Sequence, residues 1–297
     1  MANNEIKDIY DDIKQYVVDD TDLTEDYMDK INRHFYSYIK NPTDKKEETF
    51  KRLRDALIIL WLSDLFKQLK KQVLLQWKIG VATAKTALTN AQIKKVISKA
   101  LTSDKIKDLI QANLDKSITE ITYVSNAIKV NSERAIADIK SNIDKTKKAI
   151  STELMSEFQE FGIAYFVDSA GRRQSIKNYI NMKASDMAIN SFRDAYLAEL
   201  SRNGVQYGIV RRLPTTAIEC DNCKSFDGKI LAFSDNNEGY MTVAEARGYN
   251  LFHYFCFHYL DPVSEPDESK KEIILSEENK KSKERNDKKG RVFGLLS

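Results

Sequence analysis

All three cysteines of this 297-residue chain, Cys220, Cys223 and Cys256, fall between residues 220 and 258, as do two of its three histidines, His253 and His258. Cys220 and Cys223 have the Cys-x-x-Cys spacing that lets two thiolates reach one ion from a tight turn. His253 and Cys256 repeat that spacing, and His258 follows two positions on. Three thiolates and one imidazole, or two of each, fill a tetrahedral shell suited to Zn²⁺. Thiolates argue against Ca²⁺ and Mg²⁺, which take oxygen ligands. The expected metal set is therefore Cys220, Cys223, Cys256 and one histidine. His253 repeats the spacing of the cysteine pair; His258, two positions along an extended segment from Cys256, returns to the same face. A shell filled by protein leaves no position for a substrate, so the expected role is a structural staple. Two other readings use the same residues. They are reduced thiols of an ordinary small core, or a redox pair, which would call for a βαβ setting that the flanking pattern lacks.

The elements that must position these side chains begin at Gly162. Ahead of it the only glycine is Gly80 and the only proline is Pro42, so the first part reads as long helices and the second as a compact unit with turns. AYFVDSAGRR (164–173) reads as a loop. A helix from about Gln174 to Arg202 carries Ile176, Tyr179, Ile180, Met187, Phe192 and Leu197 inward and stops at Asn203-Gly204. VQYGIVRR reads as a strand, and Pro214 leads into the first ligand turn. Asp227-Gly228 turns the chain into KILAF. Thr242 caps a short helix over 243–247 that leads to the second ligand cluster.

In the first part, Ile6, Ile9, Tyr10, Ile13 and Val17, then Tyr27, Met28, Ile31, Phe35 and Ile39, describe a pair of helices ended by Asn41-Pro42. Thr43 caps a long helix toward Trp77, whose seam is Phe50, Leu53, Leu57, Trp61, Leu65, Leu69 and Val73. Short helices follow over 91–101 and 104–114. A long one over about 118–158 carries a narrow stripe (Ile121, Val124, Ile128, Ile136, Ile139) interrupted by Asn131 and Ser132. These seams are expected to be partly exposed and to dock on partners. The fold class is thus mainly α, a long helical N-terminal arm followed by a small α+β unit stapled by zinc. The divisions are an acidic helical pair over 1–41, a long-helix arm over 42–162, the α+β unit over 163–262, and a tail over 263–297. The tail is mostly charged over 267–291, too polar to order itself by apolar burial, reads as a solvated helix or tail, and ends in the apolar peptide Val292–Leu296.

The formal charge of +3, from 47 basic and 44 acidic side chains, demands no nucleic-acid partner by itself. Its distribution is uneven: residues 1–50 are acidic, whereas 51–100 carry 11 basic and 2 acidic side chains. A zinc-stapled protein contacting DNA through 51–100 is therefore the alternative reading. The polar start is no secretory signal, and the longest apolar run, Ala56–Leu62, is too short to span a membrane. With three cysteines the chain is no disulfide scaffold, and a soluble protein made in a reducing compartment is expected. No phosphate loop or nucleophile motif occurs. The remaining histidine, His34, lies between Arg33 and Phe35 on a helical pattern, so no enzyme is expected.

Residues 160–262 resemble a known family. FVDSAGRR followed by Tyr179 is similar to an Asp-x-x-Gly-Arg loop with a tyrosine on the helix behind it. A strand, a cysteine turn and Asp227-Gly228-Lys229 follow, and then His253-x-x-Cys256-x-His258 before Pro262. This order resembles the minor capsid or head-morphogenesis proteins of tailed bacteriophages, the Mu protein F-like and minor capsid protein 2-like group. Tyr254-Phe255 stands where Pro-Asn is usual, Phe257 where arginine is usual, and Ala184-Ser185-Asp186 where an Arg-Thr pair is common. The resemblance implies a virion protein made in the host cytoplasm and placed at the portal vertex or inner face of the head. The partner it implies is the portal or major capsid protein; the apolar seams add a second copy of the chain as an expected partner, and the basic segment 51–100 adds packaged DNA.

Overall fold

The computed structural model describes residues 2–91, 103–141, 162–167, 171–213, 220–234, 239–253 and 256–288. They are mainly helical, with a small sheet region. Three long helices come first, α1 (Ala2–Lys40), α2 (Asp44–Asn90) and α3 (Ser103–Ser141). The pair expected over 1–41 is one continuous helix, because no glycine or proline interrupts it before Asn41-Pro42. Likewise α2 continues past Trp77 to Asn90, and the elements expected over 104–114 and from 118 onward are one helix, since 115–117 hold no breaker. The helix expected over 91–101 falls almost wholly outside the described residues, as do the stretch beyond 141 and Val292–Leu296. Among the described residues no helix is long and apolar enough to cross a membrane. The chain divides into two compact units, each assembled from separate segments.

The unit of Lys14–Lys71 and Leu114–Ser185 packs around an aromatic corner. Phe35 lies 5.1 Å from Phe50 and 6.3 Å from Tyr38, centroid to centroid. Between them the Thr43 hydroxyl accepts the Lys46 N–H at 3.3 Å and caps α2 as expected. Ion pairs Glu47–Lys140 (2.6 Å), Lys51–Glu133 (3.0 Å) and Asp55–Lys129 (3.7 Å) run in opposite chain directions, so α2 and α3 are antiparallel. Of the expected α2 seam, Phe50, Trp61, Leu65, Leu69 and Val73 are buried, while Leu53 and Leu57 are half-buried and Arg54 and Ile58 take the inward places between them. Arg54 tolerates burial because its guanidinium meets Ser132 Oγ at 2.5 Å, Glu133 at 2.7 Å and Asp55 at 3.0 Å. The seams are therefore largely covered by the chain itself.

The two polar interruptions of the α3 stripe are buried and bonded. Ser132 meets Arg54, and Asn131 Nδ2 donates to the carbonyls of Tyr165 (2.7 Å) and Ile163 (3.3 Å). Asn32 Oδ1 accepts the Ile163 N–H at 3.1 Å. These two asparagines fix the entry to a hairpin, β1 (Tyr165–Val167) and β2 (Arg173–Ser175), where the sequence pattern reads as a loop. Helix α4 (Ile176–Arg202) follows, with Tyr179 edge-on to Phe166 at 4.7 Å.

The other unit holds Met1–Ile13, Gln72–Asn113 and Asp186–Ser297. Its core is the second half of α4, buried at every position from 191 to 200. Against it lies an antiparallel sheet in the order β4 (Ile230–Ala232), β3 (Tyr207–Arg212), β5 (His258–Val263). Gly204, at φ +83°, ends α4 where Asn203-Gly204 was expected to. Gly228, at φ +73°, makes the turn between β3 and β4. Two short helices, α5 (Asp221–Lys224) and α6 (Val243–Gly248), carry the connections. Thr242 and Glu245 close a full capping box on α6. The charged segment, for which a solvated helix or a tail was expected, forms a 3₁₀ turn (Glu268–Lys270) and helix α7 (Glu277–Lys288). What α7 buries is polar, Asn279, Ser282 and Asn286, so hydrogen bonds dock it rather than apolar area.

Gly80 brings α2 onto α4 so closely that an added Cβ would lie 2.8 Å from Ala195 Cβ and run into the Phe192 carbonyl. Gly80→Ala gains about 1 kcal/mol of helix propensity. Overpacking against an atom of the main chain costs about 1–3 kcal/mol, at the upper end because no rotamer can relieve it. The expected result is a lower thermal midpoint by calorimetry, and an unchanged or raised one contradicts this packing.

Candidate metal centre

Each half of the Cys/His cluster is made by the same local device. Cys220 is the N-cap of α5, and its carbonyl accepts the N–H groups of Cys223 and Lys224, both at 3.1 Å. His253 offers its carbonyl to the Cys256 N–H at 3.0 Å. In both cases residues i and i+3 are turned toward one point. The first turn is fastened to the sheet below it: Phe226 N–H bonds the Cys223 carbonyl at 2.9 Å, and Gly228 N–H bonds the Val210 carbonyl at 2.9 Å. The second turn runs directly into β5, whose first residue is His258.

The five expected side chains all come together. Cys220, Cys223 and His253 form one trio with ligand atoms within 4.8 Å of one another; Cys223, Cys256 and His258 form a second. Cys223 belongs to both. Its sulfur lies 3.4 Å from that of Cys256, and Cys256 Sγ lies 3.5 Å from His258 Nδ1. Two sulfurs about 2.3 Å from a tetrahedral ion stand about 3.7 Å apart, so this trio is close to ligand geometry. Cys220 Sγ and His253 Nε2, at 2.8 Å, are in hydrogen-bond contact and would have to separate to share an ion. Cys223, Cys256 and His258 are buried, while Cys220 and His253 are half-buried. The cluster can hold a metal ion.

Electrostatics favour charge at Cys256. Burial alone would raise its thiol, but the hydrogen bonds from Cys223 and His258 and the charge of Arg193 outweigh that and hold it well below the ordinary cysteine range. Cys223 is driven the other way, first by its hydrogen bond to Cys256 and then by burial. The two shifts run in opposite directions, so charge on the pair is favoured at Cys256, and binding a dication would require both thiols to lose their protons. Three thiolates around a dication would leave one net negative charge, and the buried Arg193 would stand against it.

Arg193 is 4% exposed, on the inner face of α4. It donates to the Cys256 carbonyl at 2.7 Å, with the His258 and Phe252 carbonyls at 3.4 and 3.5 Å, and it stacks on the Phe252 ring at 4.7 Å. Asn250 and Phe252 both have positive φ, +73° and +61°, so the loop into His253 is strained and needs holding. Arg247 supports the same ring at 5.8 Å and is itself fixed by Asp194 at 2.7 Å.

Arg193 and the strained loop are absent from the sequence reading of the site. The one signal for Arg193 is a charged pair, Arg193-Asp194, inside a helix with apolar residues on every side. His34 is exposed on α1. No protein-family model, curated protein or solved structure matches the chain.

Cys223→Ser removes the sulfur common to both trios. Elemental analysis should show bound metal falling from roughly one equivalent to none, with loss of amide protection over 213–262. The circular-dichroism signal of the long helices should persist. Metal-free wild-type protein of unchanged stability would make these ordinary buried thiols.

Proposed function

We propose that the cluster is a structural Zn²⁺ site made by Cys220, Cys223, Cys256 and His258, and that the chain is a non-enzymatic minor capsid or head-morphogenesis protein of a tailed phage. The observation that carries the first half is a thiol-rich donor set with Cys223, Cys256 and His258 buried and Cys220 half-buried beside them; four protein donors would fill a tetrahedral shell, which suits a staple and not a reaction. His258 is assigned over His253 because it is 2% exposed and adjoins the buried sulfur pair. His253 then donates its ring N–H to the Cys220 sulfur and steadies it from outside the shell. His258→Ala is expected to abolish metal binding and His253→Ala only to weaken it; the reverse order would exchange their roles.

The second half rests on the resemblance. In keeping with it, among the described residues Gly171-Arg172 lie beside the hairpin, Tyr179 lies on the helix behind it, and Cys220 and Cys223 cluster with His253, Cys256 and His258. A portal or capsid protein would meet exposed apolar side chains such as Ile59, Leu60, Tyr123 and Val130. DNA binding through 51–100 is less favoured, because Lys51, Arg54 and Lys67 are already engaged by Glu47, Glu133 and Asp64. Mass spectrometry of purified particles of the encoding phage should detect the chain at a few copies per capsid. Its absence from particles and from their assembly intermediates would overturn the virion reading.

A further inference from the structure

Helix α7 reaches back onto both ligand-bearing segments through one side chain. Asn279 is fully buried, although almost every neighbour on its helix is charged or polar. Its Nδ2 donates to the Asn222 carbonyl at 2.9 Å and the Tyr249 carbonyl at 3.0 Å. Its Oδ1 accepts the N–H and the hydroxyl of Ser276 at 3.0 and 2.8 Å. Asn222 lies between Cys220 and Cys223. Tyr249 begins the strained loop that ends at His253. A single carboxamide therefore spans the two halves of the cluster from outside it. Seven residues on, Asn286 Nδ2 donates at 2.9 Å to the Gly248 carbonyl, which belongs to the second half alone.

We infer that Asn279 is a positioning residue of the metal centre, and that metal occupancy and docking of α7 are reciprocally linked. This rests on reading the Cys/His cluster as a metal site. The Nδ2–H groups reach both segments, the Asn222 carbonyl and, at 3.3 Å, its Oδ1 on one side and the Tyr249 carbonyl on the other, only while the two segments stand close to the spacing observed. A shared ion would hold that spacing, because each segment sits in, or leads into, a turn that ends in ligands. Ile273 and Leu275 anchor the preceding segment on the apolar core. Past Ser276 the docking is polar, so α7 has little to hold it once the carbonyls separate. By linkage, whatever α7 adds to metal affinity, the metal adds to the docking of α7. The tail helix then becomes a metal-dependent element: bound when the site is filled, released when it is stripped.

The full chain tests this in two measurements. Hydrogen–deuterium exchange of 277–288 is compared in zinc-loaded and chelator-stripped protein, and zinc affinity is measured by competition with a chromophoric chelator. Stripping should speed exchange across α7 by about tenfold or more while the β3–β5 amides change less. Asn279→Ala should weaken zinc binding about tenfold, the scale of lost outer-shell partners, and Asn286→Ala should weaken it less. Zinc bound equally by wild type and Asn279→Ala, with α7 exchange indifferent to metal, would overturn the linkage and leave the metal site standing. A wild-type chain that binds no zinc would overturn both. Should Asn279→Ala fail to fold, wild-type exchange with and without zinc decides alone.

Discussion

Two sulfur atoms 3.4 Å apart in a buried position, Cys223 and Cys256, set the terms for the unit that contains them. Unligated, such a pair can carry one proton between them at the cost of a buried charge, and Arg193 stands where that charge needs it. Ligated, the same pair becomes two bonds to one cation. Either way the segments bearing the two cysteines, 33 residues apart in sequence, must be held at a fixed separation. The surrounding elements supply that constraint from several directions. The β3–β5 ladder fixes His258, the turn at Gly228 fixes the first cysteine turn, and Arg193 takes the carbonyls of the second.

The other unit solves a related problem without sulfur. Arg54 occupies a position in the buried stripe of α2 that an apolar residue would fill more cheaply. Its bonds to Ser132 and Glu133 do what leucine could not: they select one register between two long antiparallel helices. Asn131, one position earlier, turns the same polar break in α3 into an anchor for Ile163 and Tyr165. In both units, then, the specific alignment is carried by polar groups aimed at main-chain or charged partners, while apolar area supplies the bulk of the stability.

That division explains what was legible in the sequence. Ligand spacing, the Thr43 and Thr242 caps, the stops at Asn41-Pro42 and Asn203-Gly204 and the turn at Asp227-Gly228 are local signals, and each corresponds to a feature of the fold. Apolar periodicity found α2 and α3 and most of the α2 seam, but at one turn Arg54 and Ile58 face inward where Leu53 and Leu57 fit the pattern. The gap between the apolar runs ending at Val17 and starting at Tyr27 made α1 look like two helices, and the charge of 267–291 left helix and tail both open for α7. Periodicity registers apolar faces and cannot weigh a carboxamide whose acceptors lie 30 and 57 residues away, as for Asn279. Arg193 is hidden for the same reason, since its partners lie about 60 residues further on.

The proposed role, a metal-stapled protein that holds others in place, and its proposed setting among phage head proteins both start from the Cys/His cluster. Both depend on whether the cluster is filled as its donors propose. X-ray absorption at the zinc K-edge of the purified chain tests this most directly. The account predicts a four-coordinate shell of three sulfurs at about 2.3 Å and one nitrogen at about 2.0–2.1 Å. A shell rich in oxygen, or protein that carries no zinc after purification in its presence, would contradict it.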